Sequence, residues 1–273
     1  MELDAPAVRE AVESLARHAL PAFGLALLAV VAAALALGWL LERHGRRREG
    51  SRFTPLAWLL GRLALGFALI IGAGLLFAEI AENLGDGRQL GALDLLFSDT
   101  IRATAPLGAL RVFAVLTHLG DTATLTGLGI AGAGVLLRLR QRGLCAGWVL
   151  ALAGNAVLNR TLKSIFERTR PVHDHGLAMA DGWSFPSGHS SGSLVAYGML
   201  AYLLLRLLPA RHGAARLPIV ALAAALAFSV GSSRVFLQVH FASDVLAGFA
   251  SGAAWLTVCI GALELARWRT RRP

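Results

Sequence analysis

A bundle of membrane-spanning α-helices is the fold class that this sequence predicts. Three observations carry it. Hydrophobic residues fill 56% of the 273 positions, and the mean hydropathy is +0.61, too apolar for an ordinary water-soluble domain. Only 16% of residues are charged. The arginines gather in short clusters between apolar runs of about 20 residues, the length that crosses a bilayer as a helix. The net charge of +9 invites a nucleic-acid reading. The clustering is instead that of membrane topology. With no nucleic-acid-binding motif in the chain, no nucleic-acid partner is expected. Cys145 and Cys259 lie far apart in apolar surroundings and read as two buried free thiols.

The elements follow in order. The first span is 21–41, PAFGLALLAVVAAALALGWLL, and the second is 53–78. RQLGALDLLFSDTIRAT, 88–104, puts Leu90, Leu93, Phe97 and Ile101 on one helical face, with Asp94, Asp99 and Arg102 off it. That pattern predicts an amphipathic helix lying in the membrane interface. The third span is 111–137, with a polar start at THLGDT. The remaining spans are 144–163, 187–208, 215–232 and 240–263. Glycines along 127–134 and at 188 and 192 permit close packing of helices.

Seven spans put the connectors 42–52, 138–143 and 206–216 and the tail 267–273 on one side. They hold five, three, three and four arginines. The excess of positive charge makes that side cytoplasmic. The segment before Pro21 carries Glu2, Asp4, Glu10 and Glu13 against Arg9 and Arg17, which suits the outside and argues against a cleavable leader. The Arg-rich, short-looped style points to a bacterial inner membrane.

Three polar stretches then coincide on the outer face. TLKSIFERTRP ends the fourth span, SFPSGHSSG opens the fifth, and SSRVFLQVHFASD joins the sixth to the seventh. Lys163 is the one lysine among 26 basic residues. With Arg170 and Arg234 it brings three positive charges to one membrane edge. Arginine offers phosphate a planar fork, and lysine a mobile point charge. Ser187, Gly188 and His189 follow Pro186 at a helix start, where free N–H groups and the dipole favour an anion. Gly188 lets the backbone approach a ligand. His240 and Asp244, four residues apart, share a helical face, and the carboxylate can fix the imidazole's tautomer. His189 has no obvious carboxylate. Together these residues supply an anion cradle, a nucleophile with an orienting partner and a proton donor, the parts of phosphoryl transfer. The cations stabilise charge, so no metal and no cofactor is expected. His173-Asp174-His175 alternate on a loop, which is too little for a metal site. Arg62 reads as a structural pair or a snorkelling side chain. Asn155 reads as a bond to a neighbouring helix, Asn159 and Arg160 stay open between such a bond and bracing the site, and Asp181 and Trp183 are candidates to touch substrate, with nothing to fix their direction.

Lys163, six residues, Arg170-Pro171; Pro186-Ser187-Gly188-His189; Ser233-Arg234, five residues, His240, three residues, Asp244: this pattern resembles, at every position, the three-part signature of the type 2 phosphatidate phosphatase superfamily. That superfamily also contains glucose-6-phosphatase and the vanadium haloperoxidases. The resemblance implies an all-α membrane phosphatase with a six-helix core at 53–263. The extra N-terminal span and basic loop at 1–52 and the basic tail at 264–273 flank that core. It implies metal-independent hydrolysis through a phosphohistidine. His240 would be the nucleophile oriented by Asp244, and His189 would protonate the leaving oxygen. Lys163, Arg170, Ser187, Gly188 and Arg234 would hold the phosphate. A site at the outer membrane edge suits a lipid phosphate among bilayer lipids: phosphatidic acid, phosphatidylglycerol phosphate or undecaprenyl diphosphate. A lipid phosphotransferase, or a non-catalytic transporter or scaffold, are the alternatives.

Overall fold

The computed structural model describes residues 6–46, 55–84, 88–171 and 176–270. Along them run helices α1 (Pro6–Arg17), α2 (Ala19–Arg46), α3 (Pro55–Glu82), α4 (Gln89–Thr104), α5 (Leu107–Thr117), α6 (Thr122–Arg138), α7 (Arg142–Phe166), α8 (Gly188–Leu207), α9 (Arg216–Phe236) and α10 (Ala242–Thr270). By length and composition α2, α3, α8, α9 and α10 can each cross a membrane. Helix α6 has only 17 residues, and α7 carries Asn155, Asn159, Arg160 and Lys163 in its C-terminal half.

The polarity is turned inside out relative to a water-soluble protein. Leu25, Leu28, Phe67, Leu75, Val115, Ile130, Leu150 and Val157 are exposed, while Asp94, Ser187, Ser193, Arg234, His240 and Asp244 are buried. An apolar exterior of this extent belongs against lipid. The chain is a multi-pass membrane protein.

Helix α8 is central and touches α6, α7, α9 and α10; α3 lies on α10 and α2 on α9. Small residues set these approaches. A Cβ on Gly248 would fall 2.5 Å from the Ser187 carbonyl oxygen, and one on Gly252 would fall 2.9 Å from Ser191 Cα. The GxxxG spacing thus seats α10 directly on the start of α8. Gly129 and Gly132 of α6 face Leu152 and Trp148 of α7, and the Trp148 indole donates to the Gly129 carbonyl at 2.8 Å.

Two departures from expectation lie in the region before α7. The stretch 111–137 is not one helix. It breaks after α5 into a short 3-10 turn, His118–Gly120, and restarts at Thr122. Helices α4 and α5 meet at a bend of 117°. Asp121 occupies the N-cap position of α6 without bonding its backbone, because both carboxylate oxygens go to imidazoles. Helix α4 also docks differently from its apolar pattern. Ile101 is buried, but so are Asp94 and Ser98, while Leu95 is 53% exposed. The part-buried Arg168 and the Ser243 amide and hydroxyl hold Asp94 there. Asp99 and Arg102 stay at the surface, paired at 3.0 Å. Arg62 lies 4.0 Å from Glu264, Asn155 donates to Ser191 of α8 at 3.4 Å, and both cysteines are free and buried.

Candidate active site

His240 lies in the turn between α9 and α10, not on a helix. The turn closes through amides of Val239 and His240 on the Arg234 carbonyl, and Gln238 takes a left-handed conformation at φ 51°. Asp244 sits in the first turn of α10, and its Oδ2 accepts the Phe241 N–H at 2.9 Å. The His–Asp pairing therefore arises from a helix cap rather than from a shared helical face. His240 Nδ1 lies 3.4 Å from Asp244 Oδ2, and the Ser184 hydroxyl donates to the same oxygen. This leaves Nε2 as the outward nitrogen, 3.1 Å from an Arg170 amino group. Burial first of all pushes the His240 imidazole from 6.5 down to about 3. Asp244 opposes that shift, and Arg170 and Arg234 add to it. The ring is thus neutral and carries a lone pair.

His189 stands in the first turn of α8. Its Nε2 lies 3.0 Å from Asp121 Oδ1, and Asp121 Oδ2 takes His118 Nδ1 at 2.7 Å. The carboxyl of Asp121 is held below its ordinary range: burial acts upward, but the bonds from His118 and His189 outweigh it. Gly120 makes the approach possible, since a Cβ there would fall 2.9 Å from His189 Cδ2. Ser187 caps α8, accepting the Ser190 amide at 3.4 Å and the Ser190 hydroxyl at 3.0 Å. The N–H groups of Gly188 and His189, in the first turn, have no carbonyl partner within the helix.

The cations come from three elements. Lys163, in the last turn of α7, donates to the carbonyls of Trp183 and Ser184. Glu167 ends that helix in a left-handed conformation at φ 43°. Arg170 donates to the carbonyls of Asp181, Gly182, Trp183 and Val239. Arg234, near the end of α9, donates to Thr117 Oγ1 at 2.6 Å. Main-chain oxygens of 181–184 thus hold Lys163 and most of Arg170, and Asp181 also lines the cavity between these cations. Asn159 lies against Gly188 and donates to the Pro186 carbonyl at 3.4 Å, bracing the same turn.

Residues 143–268 match the PAP2 superfamily. The phosphatidylglycerophosphatase B of Bacillus subtilis is 37% identical over 151 residues, which cover 52% of this chain and 69% of that protein. The chain belongs to the PAP2 superfamily. A lipid A 1-phosphatase of Rhizobium johnstonii is 30% identical over 186 residues, 56% of this chain and 70% of that protein. Among solved structures, a transmembrane PAP2-type phosphatidylglycerolphosphate phosphatase from Bacillus subtilis aligns with a TM-score of 0.67 at 28% identity. The alignment covers 72% of this chain and 96% of that one.

In this PAP2 protein, Lys163, Arg170, Gly188, His189, Arg234 and His240 line one cavity of about 690 Å³. Ser187 and Asp244 are fully buried. Sequence reasoning missed Asp121, Thr117 and Asp94. The polar letters of THLGDT were the available signal for the first two. The triplet at 173–175 lies outside the described residues.

Proposed function

We propose that this PAP2 family phosphatase hydrolyses a membrane lipid phosphate through a phosphohistidine on His240. The observation that carries the reading is the shape of the cavity. Its polar end holds the three cations and two imidazoles, and it continues between α6 and α7 along Leu125, Ile130, Ala133, Val149, Leu152 and Ala156. An anionic head on an apolar tail fits both ends at once, without leaving the bilayer. The names of the relatives favour a phosphomonoester on a lipid headgroup, with phosphatidylglycerol phosphate first.

The geometry supports a two-step mechanism. Lys163, Arg170 and Arg234, with the first-turn amides of α8, hold the three non-bridging oxygens as charge grows on them. His240 Nε2 attacks phosphorus and the bond to the lipid oxygen breaks in line. His189 gives that oxygen its proton. A water then attacks the phosphohistidine, His189 takes the water's proton, and the N–P bond breaks to release inorganic phosphate. Asp244 keeps Nδ1 protonated throughout. The charge stabilisation is supplied by side chains and amides. The site faces the outside of the inner membrane, and the C-terminus lies in the cytoplasm.

The test is purified protein against a panel of lipid phosphates, following phosphate release and lipid products together. Phosphatidylglycerol phosphate should be turned over with stoichiometric phosphate, in the presence of chelator, and vanadate should inhibit. Phosphate appearing on another lipid would make the protein a phosphotransferase, and loss in chelator reversed by a divalent ion would end the metal-independent reading. For orientation, reporter fusions at residue 175 and after Pro273 should report opposite compartments; the same compartment for both overturns the span count.

A further inference from the structure

Behind the nucleophile, outside the family signature, lies a chain of three charged groups: two buried carboxylates and a part-buried guanidinium between them. One Arg168 amino group donates to Asp244 Oδ1 at 2.7 Å and to Ser243 Oγ at 2.8 Å, and the other donates to Asp94 Oδ2 at 2.9 Å. Asp94 also accepts the Ser243 amide at 3.2 Å and the Ser243 hydroxyl. Asp94 is 5% exposed and Asp244 0%. The guanidinium lies over the Phe241 ring, 4.2 Å from its centroid. Arg168 is thus clamped on both edges and on one face. The order is Asp94 on α4, Arg168 in the segment after α7, Asp244 on α10, then His240.

The arrangement answers an electrostatic problem. Asp244 must be ionised to hold the imidazole proton, yet it stands behind a nucleophile that meets a phosphate dianion. A guanidinium on its far oxygen cancels that repulsion without touching Oδ2, the oxygen that faces His240. A single arginine bound to one carboxylate can still pivot. A second carboxylate at the other amino group removes that freedom, because the planar fork can satisfy both only in one orientation. The link from Asp244 to His240 is long, at 3.4 Å, so a small rotation of the carboxylate would lose it.

We propose that Arg168 and Asp94 are positioning residues for the nucleophile: Arg168 aims and neutralises Asp244, and Asp94 locks Arg168. The proposal rests on the phosphohistidine reading above.

Vanadate and inorganic phosphate separate this role from a merely structural one. Both anions meet the cation cradle, but only vanadate adds a fifth bond, to the attacking nitrogen. In full-length protein, with a nitrophenyl phosphate as substrate, Arg168→Gln and Asp94→Asn should weaken vanadate inhibition on the order of tenfold, the scale for groups that orient a primary ligand. Phosphoprotein formation should slow by a similar factor, and inhibition by inorganic phosphate should not change. Arg168→Lys, which can reach only one carboxylate, should recover part of the loss. Asp94→Asn added to Arg168→Gln should cost nothing more. If a single variant fails to fold, the apolar pair Arg168→Met with Asp94→Leu removes both charges together and should show the same selective loss of vanadate. Parallel weakening of both anions, no effect on either, or additive losses would overturn the proposal. Wild-type phosphoprotein that disappears in His240→Ala marks the phosphohistidine reading as sound, so that such a result counts against Arg168 and Asp94 alone. Absence of wild-type phosphoprotein overturns the reading and the proposal together.

Discussion

Residues 143–268 and the residues before them contribute to the site in different ways. Every residue of the signature, from Lys163 to Asp244, lies on α7–α10 or the turns between them. The earlier region contributes no signature residue to the site. It supplies Asp121 to His189, Thr117 to Arg234 and Asp94 to Arg168, from the turn before α6, the end of α5 and the middle of α4. Under the proposed mechanism the later region holds the groups that react, and the earlier one holds the side chains bonded to them. Reactive chemistry needs particular residue types at particular spacings. Support needs only one acceptor in the right place, so it leaves single residues and no pattern.

The comparison predicts graded effects. The largest falls on proton donation. His189→Ala should slow turnover of a lipid ester on the order of 10³-fold, and a nitrophenyl ester much less, because a good leaving group needs no proton. Asp121→Asn, on the other side of the divide, should show the same selectivity at about 10²-fold. Equal losses on both esters, measured as single-turnover phosphorylation, would reduce Asp121 to a scaffold. Thr117→Val should act on binding instead. It leaves a buried Arg234 donor without its acceptor, and should raise KM about tenfold with a smaller change in kcat. An unchanged KM would separate the earlier region from phosphate binding.

The smallest effect concerns stability and sits wholly in the later region. His240 has a folded pKa near 3 against 6.5 for an ordinary imidazole. Below about pH 6.5 the unfolded chain binds a proton that the folded chain refuses. Stability present above that pH is therefore lost progressively as pH falls toward 3. Thermal midpoints of wild type and His240→Gln, compared from about pH 7 to about pH 5, should show the steeper fall in wild type. Parallel slopes would mean that burial does not keep the ring neutral.

Much of the bundle was legible because membrane spans write themselves as long apolar runs. That the signature residues would meet in one cavity was legible because three short motifs fell on one predicted face. The broken span was not, because Gly120-Asp121 is too small an interruption to outweigh the leucines around it. His189 lacked a visible carboxylate for the same reason: Asp121 was counted inside a helix 68 residues away. Asp94 was assigned off the buried face of α4 because a helical wheel ranks faces by apolarity. Such a ranking cannot see that a guanidinium in the next layer makes a carboxylate the better side chain to bury. His240 and Asp244 were paired for a reason that differs from the geometry, as a cap brings them together where a helical face was assumed.

The seam where Gly248 and Gly252 carry α10 onto the start of α8 has a consequence for how this protein can change. Two backbones in contact leave no side chains to repack, so the seam has no neighbouring variants to move through: Gly248→Ala would force Ser187 and the turn bearing Asp244 apart in one step. The wall of the cavity is the opposite case. Small side chains, Ala133, Ala153 and Ala156, line it. Under the proposed function, tail preference can therefore drift by single substitutions, or be engineered by them, in a lineage whose chemistry stands still.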